Sequence, residues 1–336
     1  MKELIAKVVE GERLSPEEAE RAMEMMMSGS ATPAQIAGFL VALRMRGEAA
    51  EELAAFARVM RRFSARINPR VEGRLVDTCG TGGDGMGTFN ISTTSAFVVA
   101  GAGVCVAKHG NRGVSSGSGS ADMLEALGVR IDLPPQEVER CIESLGIGFM
   151  FAPVFHSAMK HALGPRREIG IRTVFNLLGP LTNPAGAQAQ VLGVYGESVI
   201  ELVAGALQGL GTEHALVVHG EPGMDELSVC GSTKVAEVRR GRVEVYRIEP
   251  EEFGFSRAKL EELRGGTPEE NAELAVELLS GRVEGPKREV VLLNAGAAVY
   301  VGGRAKSIAS GISLAERSID SGRALEKLEA LRGFGG

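Results

Sequence analysis

The sequence predicts an α/β protein: a small all-helical N-terminal domain followed by a large α/β domain with a mostly parallel central sheet. Three observations lead there. Residues 1 to about 66 carry helix caps and apolar residues at helical spacing. Ile67-Asn68-Pro69-Arg70-Val71-Glu72-Gly73 has linker composition. From Leu75 onward, short apolar runs alternate with helical stretches, the pattern of parallel strands covered by helices. The boundary is placed at 66/67, giving domains 1–66 and 67–336, and part of 150–186 is expected to join the helical domain. A chain of 336 residues is long enough for two domains and a large core.

In order, Met1-Lys2-Glu3 opens an amphipathic helix without a signal-peptide core. Ser15-Pro16-Glu17-Glu18 and Thr32-Pro33-Ala34-Gln35 are capping boxes with proline at the first helical position. After the second, Ile36, Phe39, Leu40 and Leu43 share one helical face. Gly47 ends that helix and another spans 48–66. The methionines from Met23 to Met27 read as core or interface filler. Strands are expected at 75–79, 104–108, 129–133, 189–195, 214–219 and 289–294. Helices follow at 92–102, 122–127, 197–210 and 268–279. The stretch 150–186 reads as helical or irregular, and 221–248 as a β-rich excursion.

Composition narrows the function. A formal net charge of −6 gives no broad basic surface for nucleic acid. No apolar run reaches membrane-spanning length. The four cysteines form no CxxC pair, which suits a reduced, cytoplasmic protein and suggests neither a disulfide framework nor a zinc site.

The chemistry concentrates after the first strand. Gly80-Thr81-Gly82-Gly83-Asp84-Gly85, continuing through Thr88, Asn90, Ser92 and Thr93, places a glycine-dense turn between a strand and a helix N-terminus. Glycines let backbone N–H groups approach a ligand, and the helix end favours an anion. A dinucleotide site would want an acidic residue about twenty positions on. Here the next strand ends instead in Lys108-His109-Gly110-Asn111-Arg112, followed by a Ser/Gly-rich loop and a second helix start. Two neighbouring anion cradles can hold one ligand phosphorylated at both ends. Asp225-Glu226 pairs two carboxylates, a set that suits Mg²⁺ beside a pyrophosphate. Extended, they would face opposite ways, so a shared site needs a turn there; the same spacing also suits two solvated acids. His156 and His161 read as structural, and Arg166-Arg167 as either a carboxylate fork or a solvated turn.

These stretches, with Asn90-Ile91-Ser92-Thr93, Ser118-Gly119-Ser120-Ala121-Asp122 and the run from Arg172 to Pro184, resemble the anthranilate phosphoribosyltransferases of tryptophan biosynthesis along nearly the whole chain. The resemblance implies an active site at the hinge between the domains and a homodimer through the helical part. It implies that Gly80, Gly83, Asp84, Thr88, Asn90, Ile91, Ser92, Thr93, Lys108, His109, Gly110, Asn111, Arg112, Gly113, Val114, Ser115, Ser116 and Ser120 surround phosphoribosyl pyrophosphate (PRPP). Ser92, Asp225 and Glu226 would hold Mg²⁺. Gly80, His109, Asn111, His156 and Arg166 would line the anthranilate path, with Arg166 at its carboxylate. Lys108 would stabilise the leaving group, and no residue is cast as a general base. Ser157 follows His156 where proline is common in the family. A pyrimidine nucleoside phosphorylase and a non-catalytic nucleic-acid-binding relative of the same fold are the alternatives. The Asp225-Glu226 pair and the Arg166 segment oppose the first, and the acidic charge opposes the second.

Overall fold

The N-terminal helices begin where the capping residues place them. In this computed structural model, which describes residues 1–113 and 117–334, Ser15 caps Pro16–Met27 and Thr32 caps Pro33–Arg46, each with the reciprocal bond from the side chain three positions on. Lys2–Val9 and Ala50–Arg62 complete the group. Ile36, Phe39, Leu40 and Leu43 are buried together, and Met23, Met26 and Met27 fill the same core. Buried Glu52 accepts the Leu14 and Ala49 amides and pairs with Arg46, pinning the start of the fourth helix. Helix Lys160–Ile169 packs on Pro16–Met27 and Pro33–Arg46, and Phe175–Leu181 packs on Ala50–Arg62.

Seven strands form one sheet: β1 Val76–Gly80, β2 Val106–Gly110, β3 Ile147–Phe151, β4 Ala189–Gly193, β5 His214–Gly220, β6 Thr233–Arg239 and β7 Arg242–Ile248, in the order β3-β2-β1-β4-β5-β6-β7. Strands β1 to β5 are parallel; β6 and β7 add an antiparallel edge, the expected β-rich excursion. Side chains of β5 alternate between the two faces. Leu216 and Val218 join a core with helices Ile91–Gly101 and Pro286–Val301, whereas Ala215 and Val217 join one with Ile200–Gly209 and the N-terminal helices. The chain visits β2 and β3 on one side of β1, then crosses to β4 on the other. The order therefore reverses at β1, and in open α/β sheets ligands bind outside the strand C-termini at such a point.

Three strand expectations need correction. Residues 289–294 lie in helix Pro286–Val301. A short apolar run cannot be told from a buried helix by periodicity, and this helix is buried on most sides because Gly296 lets Ile312 approach. Residues 129–133 join no strand; Val129, Ile131 and Leu133 are buried, but Gly128 and Pro134 bound a connector rather than a ladder. The true third strand, β3, begins just after the left-handed Gly146 that ends Pro135–Leu145, and it occupies the edge of the 150–186 stretch read as irregular. No helix among the described residues is long and apolar enough to cross a membrane, and all four cysteines are free.

Candidate active site

Around the reversal point, the backbone at the ends of β1 and β4 lies against one residue. Gly80 and Gly193 pair in register, and a Cβ on either would collide with Asp225. Only glycine at both positions admits the turn after β5. Met224 bridges back to Gly220, and the chain bends at Asp225-Glu226. The bend supplies the turn that the sequence reading required. Asp225 accepts the Gly82 amide at 2.7 Å, and its own amide donates to Asp84 at 3.3 Å. Glu226 accepts the backbone amide of Ser92.

The carboxylates crowd one another. Burial pushes the Asp225 carboxyl upward and the negative charge of Asp84 adds to it. Burial and Asp225 push Glu226 well above the usual carboxylate range, with Lys108 acting against them. This pocket holds more negative charge than its own donors offset, a condition a hard divalent cation relieves. No group of three or more His, Cys, Asp or Glu side chains among the described residues is arranged to cage a metal. Mg²⁺ typically takes one or two carboxylates and fills its shell with water and phosphate oxygens, so the pair fits it.

Strand β2 faces β1 across an unusual gap. The two are paired in register only at Val76 and Val106, whereas β1–β4 and β2–β3 pair along their length. Beyond that point side chains replace the ladder. Lys108, 3% exposed, donates to the Thr78 carbonyl at 2.6 Å and lies 3.5 Å from the Ser92 hydroxyl. Asp77, fully buried, accepts the His109 amide at 3.2 Å and the Asn183 side chain at 2.7 Å. Burial lifts the Asp77 carboxyl to about 6, with Lys108 and Asn183 restraining the rise.

The second cradle is organised by Asp122. Its carboxylate accepts the amides of Gly113 and Gly119 and pairs with Arg112, which also pairs with Glu125. Asn111 is exposed, and its carbonyl receives the Ala121 amide. Asn90 connects the two cradles: its amide donates to the Ser118 carbonyl, and its oxygen accepts from Asn271. Thr93 donates to Ser120 at 3.1 Å. Thr88 bridges to Arg264, and Ile91 begins the helix. Val114, Ser115 and Ser116 lie outside the described residues.

On the far side of β2, the His109 and His156 rings stand 5.0 Å apart. Burial brings His109 down to about 3, helped by His156 and Lys108, and brings His156 down to about 4. Each ring bonds a backbone group, Gly179 and Thr182 respectively, while each Nε2 is buried without a partner. The backbone bond therefore falls on Nδ1. Because it favours the protonated form, its acceptor is a carbonyl, and Nε2 is left as a bare acceptor. The hydroxyl of Thr173, next to Arg172 in the chain, is likewise buried and unpaired. Arg166 stacks on Phe175 at 4.9 Å and has no carboxylate partner among the described residues. Hydrogen bonds, ring contacts or charge interactions join Asp84, Ser92, Lys108, His109, His156, Asp225 and Glu226 into one constellation, and Arg166 stands apart on Phe175.

Two family descriptions match in tandem: the glycosyl transferase family, helical bundle domain, over residues 2–64, and the glycosyl transferase family, a/b domain, over residues 72–325. An anthranilate phosphoribosyltransferase from Acetivibrio thermocellus is 56% identical over 329 residues, covering 98% of this chain and 95% of the relative. The chain belongs to the anthranilate phosphoribosyltransferase family. Another member, from Symbiobacterium thermophilum, is also 56% identical, over 99% of this chain and 97% of its own. The crystal structure of the Thermus thermophilus anthranilate phosphoribosyltransferase superposes with a TM-score of 0.94 at 50% identity, covering 98% of each chain. The Saccharomyces cerevisiae anthranilate phosphoribosyltransferase in complex with PRPP and Mg gives 0.89 at 29% identity, over 98% of this chain and 96% of that one.

Within this anthranilate phosphoribosyltransferase fold, sequence reasoning misses four contributors: Asp77, Asp122, Arg172 and Asn183. Arg172 donates to the Gly83 carbonyl and stacks on Tyr195 at 4.3 Å, while the Tyr195 amide donates to Thr81, so two residues grip the glycine loop from outside. All four stand in or beside motif stretches, yet the partners of Asp77 lie 32 and 106 residues away, Gly83 lies 89 from Arg172, and Asp122 holds loop backbone, none of which spacing reveals. A cavity of about 680 Å³ lies elsewhere, at the linker beneath β1, lined by Arg66, Arg70, Glu72 and Gln188 among others.

Proposed function

We propose that this protein transfers the phosphoribosyl group of PRPP to the amine of anthranilate, releasing pyrophosphate, as a step of tryptophan biosynthesis. The observation that carries the reading is that, at the sheet's reversal point, the first glycine-rich loop holds Asp225 through the Gly82 amide while Asn90 ties that loop to the second. The family membership and the yeast relative's complex with PRPP and Mg support it.

In this reading the loop 80–93 and the loop from Lys108 to Ser120 take the two phosphorylated ends of PRPP. Mg²⁺, held by Asp225, Glu226 and Ser92, would neutralise charge on the departing pyrophosphate. The anthranilate amine is already neutral at pH 7, so it attacks C1 of the ribose directly. The new N–C1 bond forms as the C1–O bond to pyrophosphate breaks, and the nitrogen then gives up one proton to solvent water. Neutral His109 and His156 offer Nε2 acceptors to the N–H groups of that amine, and Arg166 offers a cation to the carboxylate. Catalysis is then positioning plus leaving-group stabilisation, with Lys108 contributing charge beneath the loops. The same reading places a helical domain at 1–66, a homodimer through that part, and a cytoplasmic protein.

The test is the loss of anthranilate fluorescence with PRPP and Mg²⁺, run beside a nucleoside phosphorolysis control and a DNA-binding titration. Phosphorolysis or DNA binding in place of anthranilate consumption would overturn the assignment.

A further inference from the structure

We infer that Asp77 and Asn183 are positioning residues: together they wedge the C-terminal halves of β1 and β2 apart and so set the distance between the two substrate loops. This rests on the functional reading above but adds residues that touch no substrate in it. A parallel pair of strands normally continues its ladder. Here pairing stops after Val76 and Val106, and three side chains fill the opening. Asp77 takes the His109 amide that the backbone of β1 would otherwise receive. Asn183 bonds Asp77 at 2.7 Å and the Ala107 carbonyl at 2.9 Å, while its own oxygen accepts the Ala185 amide. One amide therefore ties together β1, β2 and the turn after helix Phe175–Leu181. Lys108, whose charge Asp77 balances, closes the gap from the β2 side on Thr78.

The consequence is geometric. Gly80 and Gly110 end these two strands, and the cradles begin there. Were the ladder to continue, the loops would be drawn together and the space for a sugar phosphorylated at both ends would narrow. The wedge also fixes the backbone of His109, whose ring faces His156.

The test compares N183A and D77N with the wild type. Steady-state kcat and KM are measured for both substrates, PRPP affinity by calorimetry, and folding by circular dichroism. The expected result is a tenfold or greater loss of PRPP affinity in each variant and a matching fall in kcat/KM for PRPP, with the circular dichroism unchanged. Folded variants that bind PRPP as the wild type does would show a purely structural role and overturn the inference. Should D77N fail to fold, N183A against wild type decides by the same binding readout. Wild-type PRPP affinity, measured separately, distinguishes failure of the functional reading from failure of this one.

Discussion

The Gly82 amide donates to the Asp225 carboxylate across 2.7 Å, joining residues 143 positions apart in the chain. This contact makes the glycine-dense turn and the acidic turn one object. The carboxylate oxygen that would meet a cation is already oriented by the loop that would meet the phosphate. Asp84 completes the closure by receiving the Asp225 and Met86 amides. Binding at the loop and at the carboxylate pair must therefore be coupled.

Replacing Asp225 by Ala, or Glu226 by Gln, should cut Mg²⁺-dependent turnover by about a hundredfold, the scale of losing one electrostatic stabiliser. Stability should suffer little, because each change also removes a carboxylate that its neighbours repel. Initial rates across a Mg²⁺ titration, with thermal midpoints alongside, check this. Unchanged turnover at limiting Mg²⁺ would refute the role.

Two glycines of the same loop should behave differently. Gly82 has φ +66° and open space around its Cβ position, so G82A should cost about 1 kcal/mol through backbone strain alone. Gly80 has no such φ, but its Cβ would run into the Asp225 carboxylate. G80A should therefore lose turnover and Mg²⁺ response far beyond its loss of stability. Denaturant unfolding and metal titration separate the two. Equal behaviour would mean that the approach of Asp225 to β1 has no bearing on catalysis.

The split between what the sequence reveals and what it hides follows from the range of the interactions. Caps at Ser15 and Thr32, the helical face from Ile36 to Leu43 and the strand–glycine turn–helix unit at 76–101 are local, and they are legible. The run 289–294 misleads because a helix buried on most sides has no polar face to give its period away. Strand β3 is hidden because Gly148 breaks its apolar run; that glycine is required since a Cβ there would lie 2.6 Å from Ile142. The site motifs are legible as motifs, but the Asp77–Asn183 and Arg172–Gly83 contacts cross 106 and 89 residues. Only the fold brings such pairs together.

Arg166 is half-buried, stacks on Phe175 and faces no acid among the described residues. Burial also lowers its affinity for protons, so the site favours a ligand carboxylate that would restore it. R166A should raise the KM for anthranilate by about ten- to a hundredfold, the value of one charge-assisted hydrogen bond, with a smaller effect on PRPP. R166K should recover only part, since it loses the planar fork and the ring stack. Equal losses for both substrates would count against the carboxylate contact.

The neutral state of the paired imidazoles makes a prediction about stability and pH. Unfolded histidine titrates near 6.5, but folded His156 does so only near about 4. Between those values the unfolded chain binds a proton that the folded protein refuses, so stability falls as pH drops through that window. The slope approaches about 1.4 kcal/mol per pH unit. His109, brought down to about 3, adds a slope of the same sign. Asp77, raised to about 6, acts oppositely: its folded form keeps a proton that the unfolded form has lost, so it gains stability as pH falls below 6. Comparing wild type with H156N cancels the Asp77 contribution. Between pH 7 and pH 5 the wild type should lose about 2 kcal/mol more than H156N, measured by urea unfolding at each pH. Parallel pH profiles would mean that folded His156 takes up a proton as readily as the unfolded side chain does, so that burial does not hold its Nε2 free for the substrate amine.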